Sequence, residues 1–176
     1  LLEAQAAWIQ WEVLDADGDL VLWGRPITLS PNATASVWLY APTRAWETNS
    51  TVWDVRLRAF EDNEPTVTLE TFRFSPQSIG AMQVQNTEGL IAVFGASRLG
   101  LQGYLPISQF EPKHDGVKIV SGLTSTDLPD QWIALQSLDA LVWSDAEPIL
   151  QSNQKRAMLN WIYRGGHFII VLPSIG

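Results

Sequence analysis

The sequence predicts an α+β chain in two parts: an antiparallel β-sandwich over residues 1–85, then a parallel α/β sheet over residues 86–176. Three observations predict it. Short apolar–polar alternations fill the front half. After Asn86 they give way to continuous apolar runs, the pattern of strands buried on both faces of a parallel sheet. Helical patterns then separate the later runs, as parallel crossovers require.

In the front half Ile9, Trp11 and Val13 share one face of a strand and Gln10 and Glu12 the other. DADGD at 15–19 supplies turn residues before LVLW at 20–23, which predicts a hairpin. Trp53, Val55 and Leu57 alternate with Asp54, Arg56 and Arg58, which predicts a strand whose arginines lie on a solvated face. Val67 and Leu69 have one parity and Phe72 and Phe74 the other, so a bulge is expected near Glu70–Thr71. Short strands divided by Pro, Asn and Gly read as a sandwich. Its core is expected to hold Trp11, Val13, Trp53, Val55 and Leu57, with the join to the back half between Phe74 and Leu90. The chain has nine tryptophans, so a sugar-stacking surface competes with the core reading; parity places Trp11, Trp53 and Phe72 inside.

In the back half LIAVF at 90–94, VKIV at 117–120, ALVW at 140–143 and FIIVL at 168–172 predict four strands in one parallel sheet of order 2-1-3-4. A helix is expected over 126–138, with Leu128, Trp132 and Leu135 on one face and Pro129 in the first turn. A second is expected over 152–164: Ser152 caps it, Met158, Trp161 and Ile162 face inward, and Lys155, Arg156 and Asn160 face out. Arg164 complements its C-terminus and Gly165 is the left-handed stop.

Composition removes several functions. The net charge is −8 and neither half carries a basic stripe, so no nucleic-acid partner is expected. The absence of cysteine excludes disulfides, thiolate nucleophiles and cysteine-ligated metals. No apolar run approaches the roughly 18–20 residues of a membrane span, and no signal peptide is visible. The chain opens on Leu1-Leu2-Glu3 and closes directly after an apolar run, so it is expected to be a piece of a longer protein, with any membrane attachment through segments outside it.

The motifs are incomplete. Counted from Asp15, a calcium loop would need glycine at the sixth position, where Leu20 stands, so a hairpin turn explains DADGD better. Gly95 to Gly100 has the spacing of a phosphate loop, but Leu101 and Gln102 replace its Lys and Ser or Thr. LPSIG at 172–176 half matches a nucleophile elbow. His167, at the other end of that strand, is roughly 17–20 Å from Ser174, too far for proton transfer at about 3 Å. His114-Asp115 reads as a loop. The sequons at Asn32 and Asn49 read as chance matches. No catalytic residue, metal or cofactor is expected.

One position remains a candidate ligand site. In a 2-1-3-4 sheet the order reverses between the first and third strands, and ligands of open α/β sheets bind outside the C-terminal ends there. Gly95, Ala96, Ser97 and Arg98 come from one loop, and Ser144, Asp145 and Glu147 from the other. Either the Gly95 and Ala96 amides face an anion with Arg98 as charge partner, or Arg98 pairs with Asp145 and closes the crevice.

EGLIAVFG at 88–95, RLGLQGY at 98–104, GLTSTDLPDQWIALQSLDALVWSD at 122–145 and NQKRAMLNWIYRGGHFIIVLP at 153–173 form an ordered series. It resembles the class I glutamine-amidotransferase-like α/β domains of large membrane-anchored bacterial proteins, especially of planctomycetes. The resemblance covers about half the chain. It implies a flavodoxin-like sheet, here incomplete, and an extracytoplasmic place in an anchored parent, with the cytoplasm as the alternative. Active members use a cysteine on a sharp turn after a strand, aided by histidine and glutamate; without cysteine, no catalytic residue carries over. The function expected is non-catalytic scaffolding or recognition of protein partners or other domains of the same chain. The alternatives are a hydrolase or amidotransferase-like enzyme whose nucleophile lies beyond Gly176, and a carbohydrate-binding β domain.

Overall fold

The structure, a computed structural model, describes residues 4–14, 17–40, 52–75, 84, 88–96, 99–101 and 116–172. The chain divides into two compact units, Leu1–Met82 and Gln83–Gly176.

In the first unit β1 (Gln5–Leu14), β2 (Leu20–Leu29), β3 (Trp53–Glu61) and β4 (Glu64–Phe74) form one antiparallel sheet in the order β2-β1-β3-β4. The first hairpin pairs Leu14 with Leu20, and Gly18 in its turn sits at φ +87°, where a side chain would be strained. The second closes through Asp62 and Asn63, both with positive φ (53° and 67°), as a two-residue turn between right-twisted strands demands. β1 and β3 register Ile9 against Leu57 and Trp11 against Val55, so their apolar parities fall on one face. There Val13 and Trp53 are buried, with Trp11 and Phe74 packed on them; the Trp11 and Trp53 rings meet edge-on at 4.8 Å. Trp11 and Leu57, expected in the core, are half-buried.

Three expectations need correction here. The bulge falls at Leu69, one residue before its expected place: Leu57 pairs with Glu70 and Arg58 with Thr68. It sets Val67, opposite Ala59, and Phe72, opposite Val55, on the same face. Phe72 is not a core residue but 50% exposed, because it lies on edge strand β4, away from the Val13–Trp53 cluster. The polar face of β1 is not simply solvated either. Gln10 and Glu12 are buried, and Arg56 and Arg58, partly covered themselves, reach Glu12 at 3.2 and 3.1 Å. Gln10 Nε2 donates to Glu12 Oε1 at 2.7 Å, so the carboxylate is surrounded by donors.

In the second unit β5 (Glu88–Phe94), β6 (Gly116–Leu123), β7 (Ala140–Trp143) and β8 (His167–Ile170) form a parallel sheet in the order β6-β5-β7-β8, the 2-1-3-4 order that the apolar runs predict. One helix, α1 (Ser152–Tyr163), connects β7 to β8. Ala92, Phe94, Leu141 and Trp143 from the sheet bury against Leu128, Leu135 and the Trp161 ring of α1. The Phe94 and Trp143 rings stack at 5.0 Å.

The helix expected over 126–138 is instead two short 3₁₀ turns, Ser125–Asp127 and Trp132–Leu135. Pro129 accounts for the break: the residue before a proline is pushed out of the helical region, and Leu128 is extended at ψ 125°. The Asp127 carboxylate further ties off the first turn by accepting the Thr124 N–H at 2.8 Å. Leu128 and Leu135 are nevertheless buried and Trp132 half-buried, as the spacing suggested.

α1 follows its predicted stripe, with Gln154 and Ala157 buried as well. Its cap is Gln151 rather than Ser152; the Gln151 N–H donates to Gln154 Oε1 at 2.9 Å. At the other end the Gly165 N–H reaches Ile162 O and the Gly166 N–H reaches Trp161 O, both at 3.0 Å. That pair of bonds is a Schellman stop, and it needs Gly165 at φ +98°. Gly166 is required separately, because a Cβ there would overlap the Trp161 ring. Arg164, besides lying at the helix end, stacks its guanidinium 4.0 Å from the centre of the Trp132 ring.

Candidate functional site

The loops after β5 and β7 meet at the reversal of strand order. The Ser144 N–H donates to Phe94 O at 2.9 Å, which carries the β7 end against the β5 end. Gly95 is buried at φ +123°, and a Cβ there would overlap the Asp145 carboxylate and the Ser144 hydroxyl. Glycine is therefore required twice over, by backbone angle and by space. The Ser144 Oγ donates to Asp145 Oδ1 at 2.7 Å. The Gly95 N–H is committed to Leu123 O at 2.8 Å.

Of the residues assigned to this position, the structure brings Gly95, Ser144 and Asp145 together. Ala96 and Glu147 are exposed beside them, and Ser97 and Arg98 lie outside the described residues. The Asp145 carboxylate, the Ser144 hydroxyl and the Asp145 backbone nitrogen all crowd the position a Gly95 side chain would take.

The other sequence candidates scatter. His167 starts β8, and its Nδ1 lies 3.0 Å from Asp139 O. Asp139 in turn accepts the Leu90 N–H at 2.9 Å near the start of β5, at the opposite end of the sheet from Ser144. Ser174, His114 and Asn49 lie outside the described residues. Asn32 occupies a left-handed turn position at φ 55°. No group of three or more His, Asp or Glu suited to a metal occurs among the described residues.

The sequence reading missed a cleft of about 330 Å³ in the first unit. Ile9, Ile27, Leu57 and Phe72 form its floor, and Thr28, Ser30, Thr34, Ala35 and Val37 its rim. The floor is the part of the apolar sheet face that the Val13–Trp53 cluster does not fill. The alternation of Ala33, Ala35 and Val37 after Pro31 was the available signal, since it gives this connecting segment an apolar side.

The chain matches no protein-family model, and no curated protein matches it. No helix among the described residues is long and apolar enough to cross a membrane.

Proposed function

We propose that this chain is a non-catalytic recognition module of a membrane-anchored, extracytoplasmic bacterial protein, and that the cleft on the antiparallel sheet is where it recognises its target. The observation that carries this reading is the composition of the cleft: an apolar floor, a half-exposed Phe72, and hydroxyls at the rim. A volume of about 330 Å³ accommodates a small apolar group, with Ser30 and Thr34 able to hydrogen-bond its polar edge. Trp53 is buried, so that ring offers no surface for stacking on a sugar. In the same reading the first unit is one layer of a β-sandwich and the second the core of a flavodoxin-like, glutamine-amidotransferase-like domain; the 2-1-3-4 strand order supports the latter. The lack of cysteine supports a structural rather than a glutaminase role.

The test is titration of the chain with an apolar fluorescent probe, N-phenylnaphthylamine, beside turnover assays with glutamine and a generic ester. Saturable probe binding, lost in Ala35→Trp, which fills the cleft, is the expected result. Turnover that disappears in Ser174→Ala would replace this reading with the enzymatic one.

A further inference from the structure

The parity of β1 puts Ile9, Trp11 and Val13 on the cleft side of the antiparallel sheet and Gln10 and Glu12 on the other. Trp8 falls with Gln10 and Glu12, the one aromatic side chain of β1 on that polar face. It is registered with Pro26 on β2 and with Arg58 on β3, and Arg58 is registered with Thr68 on β4. Directly opposed residues point to the same face, so these four form a row across the whole sheet. Three gaps between strands make it about 14 Å long. The next row holds Gly24, Gln10, Arg56 and Thr71.

A glycine makes the seat for the ring. Glycine inside a strand weakens it, but a Cβ at Gly24 would overlap Trp8 Nε1 and Cε2. The indole thus lies over β2 where a side chain would stand. Trp8 is half-buried, as a ring with one face on the sheet is, and Pro26, Thr68 and Thr71 near it are exposed.

Fixed hydrogen-bonding groups stand beside the ring. Arg58 gives Nη2 to Glu12 at 3.1 Å and Nη1 to Pro65 O at 3.4 Å, while its Nε has no acceptor. Each of the three guanidiniums on this face already has a carboxylate: Arg58 and Arg56 share Glu12, and Arg73 holds Asp54. The whole chain carries a charge of −8. A polyanion would therefore be repelled by the molecule and find no uncommitted guanidinium on this face. An uncharged ligand rich in hydroxyls meets neither obstacle.

We propose that this polar face binds an uncharged oligosaccharide, which stacks one pyranose ring on Trp8 and extends along the row toward Arg58 and Thr68. The C–H face of a sugar ring suits the negative face of an indole. Its hydroxyls both donate and accept, matching the guanidinium donors and the threonine hydroxyl. Glu12 is a positioning residue here, since it holds Arg58 in place. The surface lies on the opposite face of the sheet from the cleft and does not depend on it.

Calorimetric titration of the chain with cellohexaose, xylohexaose, mannohexaose and maltohexaose tests it, with hexagalacturonate as the charged counterpart. The expected result is saturable binding of at least one neutral sugar and none of hexagalacturonate. Trp8→Ala should weaken that binding about tenfold or more, with circular dichroism unchanged. Excess N-phenylnaphthylamine should not compete. If Trp8→Ala does not fold, the indole N–H resonances of the wild type decide: a Trp8 signal that moves on titration supports the site, and one that stays still refutes it. No binding of any neutral hexaose at millimolar sugar, full affinity in folded Trp8→Ala, tighter binding of hexagalacturonate, or displacement by the apolar probe overturns the proposal.

Discussion

Arg58 Nη2 lies 3.1 Å from Glu12 Oε1, joining β3 to a carboxylate on β1 that is 7% exposed. Arg56 reaches the other oxygen at 3.2 Å, and Gln10 donates to the first. Glu12 is thus a shared acceptor for donors from two central strands, and the polar face of this sheet is organised around it. Removing one partner of a covered ion pair leaves the other desolvated and unmatched.

Glu12→Ala should therefore destabilise the first unit by about 2–3 kcal/mol, somewhat below the value for a fully buried pair because both arginines keep some access to water. Urea unfolding followed by tryptophan fluorescence measures it. The paired replacement Glu12→Leu with Arg58→Met should recover much of the loss, since an apolar pair of similar volume carries no desolvation cost. A double variant as unstable as Glu12→Ala would show that packing, not charge, is at stake.

The two glycines after α1 should respond differently. Gly166→Ala drives a methyl into the Trp161 ring, and overpacking of this kind costs about 1–3 kcal/mol. Gly165→Ala meets no atom within 4 Å but must hold φ +98°, at a cost of about 1 kcal/mol. Thermal melts of the two variants, with Trp161 emission as the local probe, should rank Gly166→Ala as the more harmful.

The parallel sheet was legible because burial on both faces leaves a mark in the sequence: LIAVF and ALVW contain no polar residue at all. The Glu12 cluster was not, and the reason is physical. A period of two says that Gln10 and Glu12 share a face, but not that arginines two strand positions apart on β3 will close over it. At 126–138 the spacing of Leu128, Trp132 and Leu135 correctly marked inward residues, while Pro129, compatible with a first helical turn, also bars Leu128 from the helix. The candidate loops at Gly95 and Asp145 were found by a topological rule that needs only strand order. The cleft depends on the path of residues 30–37 across the sheet, which local pattern does not encode.

Arg73 grips Asp54 with two bonds, Nε to Oδ1 at 2.8 Å and Nη2 to Oδ2 at 3.0 Å. These bonds, aided by the charges of Arg73 and Arg56 and opposed by partial burial, hold the Asp54 carboxyl below its ordinary value. A depressed carboxyl contributes stability that is present above the unfolded value and is lost as pH falls through the folded one. Acid titration of the Asp54 carboxyl by NMR should give a midpoint below the usual aspartate range in the wild type. In Arg73→Leu the midpoint should rise, and this part of the acid sensitivity of stability should shrink.

Gln154 carries the last prediction. Its side chain is buried at the start of α1, where Nε2 donates to Leu128 O at 2.7 Å and Ser125 O at 2.9 Å while Oε1 accepts the Gln151 N–H. One amide thus satisfies two carbonyls of the broken 3₁₀ segment and one helix-capping donor. Gln154→Leu should cost about 1–3 kcal/mol, the penalty for leaving the buried Leu128 carbonyl without this donor, while Ser125 O keeps the Leu128 N–H at 3.4 Å. Gln154→Glu is the sharper test. An ionised carboxylate would face two carbonyl oxygens out of water, so the folded state should bind a proton above the ordinary glutamate value of about 4.3. A raised folded value means that stability is fully present below the unfolded value and is lost as pH rises through the folded one. Urea midpoints for Gln154→Glu, relative to wild type, should accordingly be nearest at acid pH and fall away toward neutrality, while those of Gln154→Leu keep a constant offset. Parallel pH curves for the two variants would mean that the Gln154 amide does not bridge α1 to Leu128 in solution.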